Sequence, residues 1–244
     1  TIVGAGNATI TATVTDGTNY TYATKTATYS LTVGNAAMSG SVSISGTLTY
    51  GSTLTAAVSG LSPSDASVSY QWYTNTTNST SGGTAISGAT GKTLGLTSTT
   101  FDKYVYVVAT ATKTNYATKT MTSSVSSSKV APRPITVTAG SSTKVYNGTA
   151  LTNSTFTLSE TLPYSHTASV TMTSGSTITN VGSVANTINT VTIKSSSGSN
   201  VTSYYAITKV AGTLTVTNAT ISGSIKITGT NTYGQTLTAN TSSV

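Results

Sequence analysis

The 244-residue chain has room for one large domain or two to three small ones. Ser and Thr fill about 40 % of positions, only 6 % of residues are charged and cysteine is absent, which excludes a disulfide framework and any thiolate metal site. The formal charge of +7 comes from basic residues spread singly along the chain, such as Lys25, Lys92, Lys113, Lys144, Lys194 and Lys226. No basic patch with interleaved aromatics results, so nucleic acid is not an expected partner. The longest apolar run, Val105 to Ala109, is far too short for a membrane span, so no membrane insertion is expected.

In chain order, the polar residues alternate with Val, Ile, Leu, Ala and Tyr at period two, the mark of half-buried strands. Residues 1–34 carry two such runs, Ala8–Val14 and Ala27–Val33, with a turn at Asp16-Gly17-Thr18-Asn19 and a further segment from Tyr20 to Lys25. Two or three strands are too few to bury a sandwich core. Residues 35–131 hold about seven short strands. Leu54, Ala56 and Val58 are expected to alternate inward, Val68–Tyr73 contains the only tryptophan, Trp72, and an aromatic strand runs from Tyr104 to Ala111. Residues 132–217 follow Pro132-Arg133-Pro134, a stiff pre-extended linker. Ile135–Ala139 is a strand, and Asn147-Gly148 supplies the positive φ of a tight turn. Strands are expected again near Thr190–Ile193, Tyr204–Ile207 and Gly212–Val216. Residues 218–244 repeat the pattern that opens residues 35–131. Ser39–Ile44 returns as Ser222–Ile227, and Tyr50–Ala56 as Tyr233–Ala239, at one constant offset. Internal repetition of this kind implies a linear array.

Three of these segments resemble known families. Residues 35–131 resemble a bacterial immunoglobulin-like domain, on Tyr70-Gln71-Trp72-Tyr73 and on Asp102, Tyr106 and Val108. The last three stand at the Asp-x-x-x-Tyr-x-Cys spacing of that fold's sixth strand, with Val108 in the cysteine's place. Residues 1–34 look like the closing strands of an invasin/intimin-type domain. Residues 132–217, through Lys144-Val145-Tyr146-Asn147-Gly148-Thr149, resemble a "Y-D-G-T" type bacterial surface repeat. The resemblance implies an all-β chain of tandem immunoglobulin-like β-sandwiches in a linear array. Its parts are 1–34, the C-terminal part of one domain; 35–131 and 132–217, two domains; and 218–244, the opening strands of another. Trp72, Tyr70, Tyr106, Val108, Tyr146 and Gly148 are its expected structural core.

Chemistry is hard to build from this residue set. His166 is the single histidine, and the four acids, Asp16, Asp65, Asp102 and Glu160, are too scattered for a carboxylate pair or a calcium loop. No catalytic, metal or cofactor-binding residue is expected. An intramolecular Lys–Asn isopeptide would need a buried acid, for which Asp102 and Glu160 are the candidates. The expected role is a non-enzymatic stalk or fibre segment of a bacterial cell-surface adhesin, extracellular, with neighbouring domains of the same protein as partners. Two alternatives stand beside it. One is a glycan- or host-protein-binding module, with Tyr73, Tyr164 and Tyr22 as the freest tyrosines. The other is a self-assembling fibre subunit whose strands 219–244 complete residues 1–34 of an identical chain.

Overall fold

The computed structural model describes residues 3–15, 17–19 and 25–240. It is all-β, and the described chain falls into two compact units, Thr1–Arg133 and Pro134–Val244. The expected segment around Tyr20 and Tyr22, and Asp16, lie outside the described residues.

The first unit runs β1 (Gly6–Val14), β2 (Lys25–Val33), β3 (Ser39–Ser45), β4 (Thr53–Ser62), β5 (Ser67–Asn75), β6 (Thr84–Ala85), β7 (Thr93–Gly95), β8 (Tyr104–Thr112) and β9 (Lys119–Thr122). β1 and β2 pair only with each other, antiparallel. The others form two sheets, ordered β3-β4-β7 and β6-β5-β8-β9. Both sheets feed one core. Val42, Leu54, Ala56 and Leu94 come from the first, and Trp72, Val105, Val107, Ala109, Ala111 and Met121 from the second. Trp72 is fully buried there, and its indole Nε1 donates to the Gly91 carbonyl at 2.9 Å, so the ring's one polar atom is satisfied.

The period-two rule decides which β8 residues reach this core. Trp72 pairs with Val107 and Tyr70 with Ala109, so the odd-numbered residues of β8 face inward with the even-numbered residues of β5. Tyr70 is accordingly half-buried against the core cluster. Tyr106 and Val108 fall on the opposite face of the sheet. Val108 is half-buried opposite Gln71, outside the core, which corrects its expected place. Tyr106 is buried by a different route. Its ring stacks on Tyr73 with centroids 5.0 Å apart and planes within 7° of parallel. Gly83 lies beneath it, and a Cβ there would come within 2.3 Å of the Tyr106 hydroxyl oxygen.

The second unit runs β10 (Arg133–Ala139), β11 (Ser142–Val145), β12 (Phe156–Leu158), β13 (Thr167–Met172), β14 (Gly182–Asn186), β15 (Ile188–Lys194), β16 (Tyr205–Val210), β17 (Gly212–Thr217), β18 (Lys226–Thr228) and β19 (Thr238–Asn240). Its sheets are ordered β12-β10-β16 and β11-β17-β14, with the pairs β13-β15 and β18-β19. β11 lies parallel to β17, while β14 and β17 are antiparallel. Val137, Ala139 and Ile188 are buried together, with Phe156, Leu158, Val170 and Met172 against them. The short strands β12 and β13, which supply four of those side chains, are not among the elements expected from sequence. Asn186 is wholly buried and ties this region together, its Nδ2 donating to the carbonyls of Gly140 and Asn153 at 2.8 Å each.

The Asn147-Gly148 turn forms with Gly148 at φ +75°. Asn147 Oδ1 accepts from the Thr149 backbone N–H at 3.2 Å, from its hydroxyl at 2.8 Å and from Lys144 Nζ at 2.9 Å. Tyr146 and Gly148 are exposed, Tyr146 at 42 %, so neither belongs to the core expected of them. Turn geometry explains the motif instead: an Asx-type side-chain cap followed by a left-handed residue.

Candidate functional site

The most distinctive surfaces are the two lone hairpins. In β1–β2 the register pairs Ala8 with Leu31, Ile10 with Tyr29 and Ala12 with Ala27, while Thr9 pairs with Ser30, Thr11 with Thr28 and Thr13 with Thr26. Paired residues point to the same side of a sheet, so one face of this ribbon is apolar and the other carries hydroxyls. The apolar face is uncovered: Ile10, Val14 and Tyr29 are each more than half exposed. The ribbon is tethered near its base, where the Ala5 N–H donates to Asn115 Oδ1 at 3.1 Å.

The second hairpin, β18–β19, pairs Ile227 with Ala239 and Thr228 with Thr238. The repeated sequence takes up the same geometry. Ile227–Ala239 reproduces the pairing of Ile44 with Ala56 in β3–β4. Gly229 stands at φ +134° where Gly46 stands at +125°, and Gly234 at +81° where Gly51 stands at +78°. A Cβ on either Gly46 or Gly229 would meet a carbonyl oxygen at 2.6 Å, that of Thr53 or of Thr236. Only coverage differs. Val42, Tyr50 and Leu54 are buried, whereas Ile225, Tyr233 and Leu237 are exposed.

The titratable groups do not assemble. Asp65 pairs with Lys113, whose ammonium hydrogen bond holds the carboxyl below the usual range, and both groups are solvent-accessible. Asp102 pairs with Lys129 at 3.3 Å and is also exposed, as is Glu160, so neither offers the buried acid that an isopeptide reaction needs. His166 is half-buried, with Nδ1 2.7 Å from the Tyr205 hydroxyl, and burial pushes its pKa down. Among the described residues no three His, Cys, Asp or Glu side chains come close enough to hold a metal ion. The exposed tyrosines sit on different elements: Tyr29 on β2, Tyr146 after β11, Tyr164 in a short 3-10 turn and Tyr233 between β18 and β19. Tyr73, expected to be free, is instead half-buried in its stack on Tyr106.

The sequence shows the repeat, but not that its two copies differ in coverage, because coverage depends on strands remote in the chain. No protein-family model matches the chain, and no curated protein matches it either.

Proposed function

We propose that the chain is a non-enzymatic structural segment, a stalk or fibre portion of a bacterial cell-surface adhesin built from tandem immunoglobulin-like β-sandwiches. The observation that carries this reading is the hairpin repeated at constant offset with matching register and glycine geometry. A chain that restarts a structural unit after another has closed is organised as a series of modules.

The strand orders support the immunoglobulin-like part. β3-β4-β7 and β6-β5-β8-β9 correspond to the A-B-E and C′-C-F-G orders of that sandwich, with Trp72 on the C-equivalent strand between the sheets. A sandwich of this type with strands of about ten residues is roughly 35 Å long at ~3.3 Å per residue. Modules of that kind, linked by few residues, suit the spacing of a distal tip from a cell surface. A glycan- or host-binding module would instead require an aromatic cluster, and the exposed tyrosines lie on separate elements.

Single-molecule stretching of the full chain tests the reading. Two separate unfolding steps are expected, each releasing roughly 300 Å of contour at ~3.5 Å per residue. Smooth extension without discrete steps would sink the stalk assignment.

A further inference from the structure

We infer that the two uncovered hairpins are complementary halves, and that the β18–β19 hairpin of one copy of this chain packs on the β1–β2 hairpin of a second copy. Coverage within the first unit shows what each face fits. β18–β19 repeats β3–β4, as its register and glycines show. β1–β2 repeats β8–β9. Ala12-Thr13-Val14-Thr15 corresponds to Ala109-Thr110-Ala111-Thr112, and Ala23-Thr24-Lys25-Thr26 to Ala117-Thr118-Lys119-Thr120. The backbone registers agree: Ala12 pairs with Ala27 as Ala109 pairs with Met121, and Val14 with Lys25 as Ala111 with Lys119.

In the covered unit these two hairpin types face each other across one core. Val42, Leu54 and Ala56 on one side are buried with Val107, Ala109 and Met121 on the other. Gly40 lies so near that a Cβ on it would come within 2.9 Å of Met121 Sδ. Each copy of the chain thus presents one half of each type with its apolar face open. A second copy supplies the missing partner in equal number. The contact is heterologous, head to tail, so it propagates into a filament instead of closing as a dimer.

The joint is smaller than the intact core, because neither hairpin carries a counterpart of β5 and Trp72. Association is therefore concentration-dependent. This inference does not rest on the stalk reading, since modules in series need not assemble.

The absence of cysteine gives a direct test on the full chain. Met121 maps to Ala27 and Gly40 to Gly223, so the double variant Ala27→Cys with Gly223→Cys places two thiols at the proposed joint. Under mild oxidation it should give a ladder of disulfide-linked oligomers that collapses on reduction, while each single variant stops at the dimer. A control pair, Thr28→Cys with Gly223→Cys, uses the hydroxyl face and should give no ladder. Addition of Ile227→Asp and Leu237→Asp should abolish the ladder while the circular dichroism of the remaining units is retained. A cyclised monomer would mean that the hairpin covers its own chain. That result, no cross-link at high concentration, or an equal ladder from the control pair would each overturn the proposal.

Discussion

Leu54 and Leu237 occupy the same place in two copies of one hairpin, yet Leu54 is 1 % exposed and Leu237 55 %. The backbone around them is the same, down to the left-handed glycine before each turn's end. What differs is the opposing sheet. Local sequence therefore specifies the hairpin, and distant strands decide whether its apolar side is buried.

That separation can be tested at the paired glycines. Gly46→Ala forces a Cβ against the Thr53 carbonyl in a backbone region that L residues rarely adopt, and should destabilise the first unit by about 1–3 kcal/mol. Gly229→Ala makes the same clash against Thr236 but should leave the main unfolding transitions unmoved, since β18–β19 carries no core. Urea unfolding of both variants, followed by circular dichroism, distinguishes the two effects.

Trp72 is the largest fully buried side chain. Trp72→Ala should cost about 3–5 kcal/mol by removing packing and leaving a cavity. Trp72→Phe should cost less, roughly 1–3 kcal/mol, by a smaller volume change and an unpaired Gly91 carbonyl. Calorimetry should show the transition of residues 35–131 shifting while that of the second unit stays in place.

The contact between Gly83 and Tyr106 yields a coupling. Gly83→Ala drives a methyl into the Tyr106 ring and should cost about 1–3 kcal/mol of stability. In a Tyr106→Ala background the same change should cost almost nothing. A double-mutant cycle in urea measures the difference, and additivity would contradict the geometry.

Burial lowers the folded-state pKa of His166 below its unfolded value near 6.5, so the folded state binds fewer protons between those two values. Stability from this group is complete above pH ~6.5 and is lost as pH falls through the folded pKa. His166→Phe should flatten this part of the profile. Urea midpoints for both proteins between pH 5 and 8 check it, and parallel curves would show that His166 does not contribute.

Asn186 offers two donors to two carbonyls and leaves Oδ1 without a partner. Asn186→Asp removes those donors and buries a charge, and should destabilise the second unit by about 3 kcal/mol or more. Thermal unfolding of the second unit gives the readout.

The strand pattern is readable where apolar and hydroxyl residues alternate, as in Ala8–Val14 and Leu54–Val58. It is not readable in Tyr104–Val108, which is apolar at both parities. There the inward face is set by pairing with Trp72's strand, so the core place that the sequence suggests for Val108 is filled by Val107. β12 and β13 escape because their few apolar residues, Phe156, Leu158, Val170 and Met172, are only half-buried and sit among threonines. The strand-like neighbours of Tyr146 suggest an inward side chain, but its motif serves the turn that follows. The candidate surfaces are half legible: the repeat can be read along the chain, and its open face cannot.

Amide hydrogen exchange across a concentration series tests the central claim, that the two hairpin faces cover one another between copies. In dilute solution the amides of Gly6–Val14, Lys25–Val33, Lys226–Thr228 and Thr238–Asn240 should exchange quickly while those of β5 and β8 stay protected. With rising concentration, protection should appear in both hairpins together. Protection that is independent of concentration, or that rises in one hairpin alone, would contradict it.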